Sequence, residues 1–317
     1  MLQILLIVIP VFLVIGTGYG GVRIGYMRPE LSDYLNVYTV RIAMPCLLFR
    51  AMSAIDFSAA FNGYMLASFY AGSFASFIIA IALSRSVWRR RSGEAVSVGF
   101  TAMFSNTVMI GLPIAERAYG STVLGLAFGI IALNAPLLYL VGVTTMELSR
   151  RGGKPLSETV SSTLQTLLKN PLMVGILAGL VFNLLAITMP GPIQAAIDML
   201  AASAIPVALV GIGCTIARFR LKSEIAESLM VSALTLILHP LIAFVLAYEV
   251  FQLPPDLVRA AVVLAATPAG ANGYIFAKLY DRAIALSASA ILIATILSIF
   301  TITIWLLILN AVLPGAP

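Results

Sequence analysis

Two short stretches of this chain combine proline, glycine and polar residues within apolar surroundings. Their members are Asn106, Thr107, Gly111 and Pro113 in the first stretch and Thr267, Pro268, Gly270 and Asn272 in the second. Proline removes a backbone donor and clashes with the preceding helical turn, while glycine and asparagine tolerate non-helical angles. We therefore expect both stretches to break a helix. The N-terminus of each second half-helix would expose free N–H groups and a partial positive charge, so two such ends aimed at one point would bind an anion.

The two interruptions occupy matching places in an internal repeat. A shift of 161 residues places Asn106 on Thr267 and Gly111 on Asn272. The same shift superposes three pairs of prolines, which are Pro10 with Pro171, Pro29 with Pro190 and Pro45 with Pro206. A single interruption would fit a proline kink that only shapes packing. Matching interruptions in both halves favour a binding site.

The composition indicates an integral membrane protein, with the lipid bilayer as its surroundings. Hydrophobic residues make up 61% of the chain and charged residues 10%, and the mean hydropathy is +1.04. A helix needs about 20 residues to cross a hydrocarbon core. Ten predicted spans satisfy this requirement, near residues 3–22, 34–53, 61–84, 95–116, 121–147, 171–189, 193–217, 225–251, 256–277 and 283–312. Spans 4 and 9 contain the two interruptions.

The basic residues predict how the spans are oriented. Fifteen of the 19 lysines and arginines follow the odd-numbered spans, and such residues accumulate in cytoplasmic loops. We therefore expect both chain termini on the outside. The net charge of +6 is explained by this basic rim and calls for no nucleic-acid partner.

Ten spans in two equal halves give five spans per repeat. Because five is odd, the second half must enter the membrane in the opposite direction to the first. We predict a first repeat over residues 1–160 and an inverted second repeat over 161–317. Inverted repeats provide two related packings, one open to each side of the membrane, as alternating access requires.

Four further polar residues within the predicted spans are candidates for function, and each has two interpretations. Asn134 could donate to a carboxylate or satisfy backbone groups freed by Pro136. His239, the only histidine, could carry protons or make a structural hydrogen bond. Arg41 could be a functional charge or could extend to the membrane surface, and Asp198 could pair with it. These last three residues are candidates for coupling or gating.

Several segments together resemble the auxin efflux carrier family, which includes plant PIN-type carriers and bacterial dicarboxylate permeases. Residues 106–113 resemble the family's helix 4, and residues 262–280 are similar to its helix 9. Asn170-Pro171 and residues 211–213 match at the start of span 6 and in span 7. The resemblance covers almost the whole chain. The segment between spans 5 and 6 is short, unlike the long loop of plant carriers, so we expect a bacterial carrier of the inner membrane.

The resemblance implies a fold shared with bile-acid and sodium–proton transporters. Spans 1, 2, 6 and 7 would form a scaffold, while spans 3–5 and 8–10 would form a transport domain that moves like an elevator. The substrates would be small organic anions. Asn106, Gly111, Pro113, Pro268 and Gly270 would be the positions where spans 4 and 9 cross beside the substrate.

The main functional prediction is a secondary carrier of a small mono- or dicarboxylate, and an anion channel is the alternative. An intramembrane enzyme is disfavoured, because one histidine and no central pair of acids leave little for acid–base or metal chemistry. No metal site or cofactor is predicted. Sodium coupling through Asn106, Thr107, Thr267 and Asn272, proton coupling and uncoupled transport all stay open. The exposed apolar helices of the scaffold would allow a homodimer.

Overall fold

The computed structural model describes residues 2–55, 61–149, 171–218 and 224–313. Their regular elements are helices, as the sequence predicts. The α-helices are α1 (Leu2–Arg23), α2 (Leu31–Tyr38), α3 (Met44–Ser53), α4 (Gly63–Ser86), α5 (Ser92–Met103), α6 (Leu112–Ser149), α7 (Pro171–Leu184), α8 (Gly191–Arg218), α9 (Ile225–Ala233), α10 (His239–Phe244), α11 (Pro255–Ala265), α12 (Ala271–Tyr280) and α13 (Ile284–Val312). Four π-helical segments join or precede them at Thr39–Ala43, Thr107–Gly111, Leu234–Leu238 and Val245–Val250.

Six helical stretches in the described residues are long and apolar enough to cross a membrane. They are Leu6–Arg23, Gly63–Ser86, Thr107–Ser149, Gly191–Arg218, Ile225–Val250 and Ile284–Val312. The third is divided at Gly120, whose φ of 74° and ψ of −163° are not helical. This division separates the second half of predicted span 4 from span 5. The predicted repeat boundary at residues 160 and 161 lies outside the described residues.

Glycines allow two helix pairs to pack with their backbones close together. Gly18 on α1 faces the backbone of Val210 on α8, and Gly179 on α7 faces the backbone of Phe49 on α3. A Cβ at either glycine would overlap its neighbour's carbonyl oxygen. Gly179 follows Gly18 by the repeat distance of 161 residues, and Val210 follows Phe49 by the same distance. The two contacts are therefore related by the same register that superposes the prolines.

A second group of helices packs around the interrupted segments. Helix α4 packs on α5, α6 packs on α11, and α9 packs on α13. Aromatic rings fill the space between α5 and α12, where Phe100 and Phe276 stack with centroids 3.9 Å apart. Both rings are fully buried. The interrupted segments are thus held within a dense apolar core.

One ion-pair network lies between the α4–α5 connection and α9. Arg90 contacts both Glu224 and Glu227, with its Nη2 2.9 Å from Oε2 of Glu227. Ser84 donates a 2.8 Å hydrogen bond to Oε1 of the same carboxylate. Glu227 is fully buried, and these partners satisfy both of its oxygens. The network ties α9 to the end of α4.

Candidate functional site

The two interrupted helices meet at their breaks. Helix α5 ends at Met103, and the chain is non-helical until Thr107, while α11 ends at Ala265 and α12 begins at Ala271. The expected breaks are therefore present in both stretches. Each non-helical segment leaves backbone groups without a helical partner, and such groups need other partners when buried.

The broken segments satisfy one another's backbone groups. The amide of Gly270 donates to the carbonyl of Phe104, and the amide of Asn106 donates to the carbonyl of Pro268, each at 2.7 Å. Ser105 and Ala269 form the centre of this short antiparallel pairing. The structure thus opposes Ser105 to Ala269 at the point where the two segments cross.

Two helical N-termini begin at this crossover. Asn106 caps the first, because its Oδ1 accepts a 3.3 Å hydrogen bond from the amide of Met109. Gly270 is the N-cap residue of α12. The first N–H groups of a helix have no partner within it and carry partial positive charge. The crossover therefore brings two electropositive helix ends together.

A cavity of about 70 Å³ lies beside these two ends. Its apolar wall includes Met44 and Leu48 of α3 and Leu172 and Ile176 of α7. Its polar side chains come from the crossover and from α6, and they are Ser105, Asn106, Thr107, Asn134 and Asn272. None of the described residues that line it carries a formal charge. Binding of an anion here would rest on N–H and amide groups.

Five of the predicted site residues line this cavity, namely Asn106, Thr107, Asn134, Gly270 and Asn272. The other four predicted crossover residues have different surroundings. A Cβ on Gly111 would lie 3.2 Å from Cγ2 of Thr267, so these two residues pack where the two interrupted segments approach each other. Pro268 contributes its carbonyl to the crossover. Pro113 lines a separate cavity of about 520 Å³ that also contacts Arg50 and Arg117.

Residues 3–306 match the sequence model of the family described as "Membrane transport protein". The chain belongs to this family. The resemblance to auxin efflux carriers is thereby confirmed, and the protein is a membrane transporter and not an enzyme.

Three relatives of this transporter align over nearly their full lengths. A "Putative malonate transporter" of Rhizobium meliloti (strain 1021) is 26% identical over 304 residues, covering 96% of this chain and 95% of the relative. An uncharacterized transporter of Methanothermobacter thermautotrophicus is 24% identical over 317 residues, covering 95% and 97%. One from Methanocaldococcus jannaschii is 23% identical over 313 residues, covering 94% and 96%.

Asn134 of the transporter reaches the crossover from α6. Its Nδ2 donates a 3.3 Å hydrogen bond to Oγ1 of Thr107. The side chain therefore bonds to the first residue of the second half-helix and not to backbone freed by Pro136. Its Oδ1 is buried and has no hydrogen-bond partner among the described residues. This unpaired acceptor belongs to a residue that lines the cavity.

Tyr139 is a site residue that the sequence analysis missed. Its hydroxyl donates a 3.1 Å hydrogen bond to Oδ1 of Asn272. The ring packs against the rings of Phe100 and Phe104, with centroids 5.2 Å and 5.8 Å away. The sequence did offer a signal for this residue, namely a tyrosine within an apolar span. A buried tyrosine hydroxyl usually has a hydrogen-bond partner. Tyr139 fixes the orientation of the Asn272 amide.

His239 contacts Ser105 of the crossover and is fully buried. Its Nε2 lies 2.9 Å from the carbonyl oxygen of Phe69, and its Nδ1 lies 3.2 Å from Oγ of Ser105. A carbonyl oxygen only accepts, so Nε2 donates to Phe69, and in the neutral ring Nδ1 therefore accepts from Ser105. His239 is not among the residues that line the cavity. Both contacts fit a structural hydrogen-bonding role, and a role of His239 in carrying protons stays a prediction.

Asp198, which could have paired with Arg41, instead pairs with Arg50. Asp198 lies 3.7 Å from Nη1 of Arg50, and both side chains are 44% exposed. Gln194 also donates to Asp198 at 3.1 Å. Arg41 is exposed in the π-helical segment Thr39–Ala43. The fold places Arg50 next to Asp198. The positions of the two residues in the sequence did not indicate this proximity.

Proposed function

We propose that this protein is a secondary transporter of small organic anions, with a mono- or dicarboxylate as substrate. The observation that carries the proposal is the convergence of two helical N-termini on one uncharged cavity. Partial charges at helix ends stabilise an anion without requiring a cationic side chain. The name of the Rhizobium meliloti relative is in line with a dicarboxylate of this kind.

Asn106 and Asn272 would supply the side-chain donors to the carboxylate. In each residue Oδ1 already accepts a hydrogen bond, from the amide of Met109 in one and from Tyr139 in the other. The Nδ2 group of each amide is thereby left to donate. Two oriented NH₂ groups beside two helix ends match the acceptor pattern of one carboxylate.

The transporter would consist of ten membrane spans in two inverted repeats, over residues 1–160 and 161–317. One reciprocal contact and one feature of the crossover support this arrangement. The contact of Gly18 with Val210 has its counterpart, 161 residues along the chain, in the contact of Gly179 with Phe49. At the crossover, each proposed repeat donates one backbone hydrogen bond to the other, from Asn106 and from Gly270. Inverted repeats provide two packings of similar energy.

Alternating access would be of the elevator type. The scaffold would comprise α1 with α8 and α3 with α7, which pack pairwise, and the transport domain would contain the crossover. The cavity lies where these two groups meet, because α3 and α7 form its apolar wall. Sliding of the crossover along this wall would expose the cavity to each side in turn. The exposed apolar face of the scaffold would suit a homodimer.

The proposed location is a bacterial cytoplasmic membrane with both termini outside. This orientation follows the excess of basic residues after the odd-numbered spans. Labelling of single cysteines introduced near residues 28 and 120 with a membrane-impermeant reagent tests it. The site near 120 should react from outside in intact cells, and the site near 28 should not.

The decisive experiment measures transport by purified protein in liposomes on a solid-supported membrane. A panel of mono- and dicarboxylates is applied with and without sodium or proton gradients, and empty liposomes are the control. A saturable response to one acid, abolished in the Asn106→Leu/Asn272→Leu variant, is expected. Unitary currents without saturation would indicate the anion channel instead, and dependence on a gradient would identify the coupling ion.

A further inference from the structure

One residue that lines the cavity at the crossover has a side-chain acceptor without a partner in the described part of the chain, and an ionised carboxylate has no hydrogen-bond donor to offer it. Asn134 is 3% exposed, and its Oδ1 has no partner among the described residues. The other end of the amide is occupied, because Nδ2 donates to Thr107 at 3.3 Å. Thr107 in turn lines the same cavity. The hydrogen bond with Thr107 holds the amide so that Oδ1 remains available.

A buried acceptor without a partner is unfavourable, and buried polar groups in native proteins are usually paired. A ligand in the cavity that brings a donor to this oxygen would pair it, and would gain affinity over a ligand of the same size without a donor. Asn106 and Asn272 offer donors to the same space. The wall of the cavity thus combines donors for an anion with one buried side-chain acceptor that lacks a partner among the described residues.

We propose that the substrate is a small carboxylate that also carries a hydrogen-bond donor, and that Oδ1 of Asn134 accepts from this donor. A protonated second carboxyl group, a hydroxyl or a primary amide would qualify. This inference rests on the proposed carboxylate transport. A doubly ionised dicarboxylate fits less well, because it would place a second negative charge against Oδ1. None of the described residues lining the cavity offers a cation to compensate for it.

Two probes of equal charge and similar size separate the alternatives. The monoamide of malonic acid has one carboxylate and an NH₂ donor, whereas the monomethyl ester has the carboxylate but no donor. Binding of each to the purified full-length protein is measured by thermal shift and by inhibition of the transport current. The monoamide should bind about 10-fold or more tightly than the ester. Equal binding, or tighter binding of the ester, would overturn the inference.

Variants assign the difference to Asn134. Asn134→Leu should remove the preference for the monoamide, whereas Asn106→Ser should weaken both probes by a similar factor because it acts on their common carboxylate. A preference that survives in Asn134→Leu would overturn the assignment. If Asn134→Leu does not fold, the comparison of the two probes on the unaltered protein still decides. Failure of every carboxylate to bind would remove the proposed function itself, whereas equal binding of the two probes would remove only this inference.

Discussion

The hydroxyl of Tyr139 donates a 3.1 Å hydrogen bond to Oδ1 of Asn272 across the crossover. Tyr139 belongs to α6, and Asn272 lies in the first turn of α12. Because Oδ1 accepts this bond, the Nδ2 group of Asn272 is the part of the amide that would donate to the proposed substrate. A residue outside the predicted set therefore sets the direction of a predicted donor.

Tyr139→Phe should weaken substrate binding several-fold and leave the melting temperature nearly unchanged. The substitution removes one hydroxyl and keeps the ring packing with Phe100, while one hydrogen bond is worth about 1 kcal/mol. The Asn272 amide is then free to rotate. Affinity is read from the concentration dependence of the transport current. Tyr64→Phe, at a residue that is 61% exposed, is the control, and normal affinity in Tyr139→Phe would contradict the orienting role.

Asn106→Asp should abolish binding and still give a folded protein. The carboxylate can continue to cap the helix through one oxygen, but it loses the NH₂ donor and repels an anionic substrate. Asn106→Ala should also weaken binding, and loss of its cap should lower stability by about 1 kcal/mol. Binding is measured with thermal unfolding on the same samples. An aspartate variant with normal affinity would exclude Asn106 from the site.

Pro268→Ala should slow transport more than it lowers stability. Alanine restores a backbone N–H, which favours continuation of α11 through the break. The crossover hydrogen bond from Asn106 to the carbonyl of residue 268 would then compete with a straight helix. Turnover in liposomes and the melting temperature are compared with those of the parent protein. Unchanged turnover would mean that the break does not depend on this proline.

Gly18→Ala should destabilise the pairing of α1 with α8 by about 1–3 kcal/mol. The added Cβ would overlap the backbone of Val210, whereas a Cβ on Gly16 of the same helix has nothing within 4 Å. Gly16→Ala is therefore the matched control and should be neutral or slightly stabilising. Thermal unfolding in one detergent measures both variants. Equal melting temperatures would show that the two helices can separate without penalty.

Replacement of Glu227 by alanine should cost about 2 kcal/mol, because it removes the buried partner of Arg90 and leaves the hydroxyl of Ser84 without its acceptor. Glu224→Ala should cost less, since its side chain is 28% exposed and that of Glu227 is fully buried. Chemical unfolding of both variants tests this order. The opposite order would indicate that Glu224 is the main partner of Arg90.

Of the ten spans predicted from the sequence, six correspond to described helices that are long and apolar enough to cross a membrane, and both predicted helix breaks are present. The long apolar stretches and the breaks at Asn106 and at Pro268–Gly270 follow from side-chain polarity and backbone chemistry, which act locally along the chain. These local rules also identified Asn106, Thr107, Asn134, Gly270 and Asn272 before their common cavity was known.

Which partners these residues have depends on how the helices pack. Asp198 pairs with Arg50 and not with Arg41, His239 holds Ser105, and the donor to Asn272 is Tyr139. Each partner is distant in the chain, so its proximity depends on how separate helices pack. Hydrophobic periodicity specifies a buried face without specifying the helix that covers it. The partners of a polar group, and hence the atoms it leaves for a ligand, are therefore settled by packing.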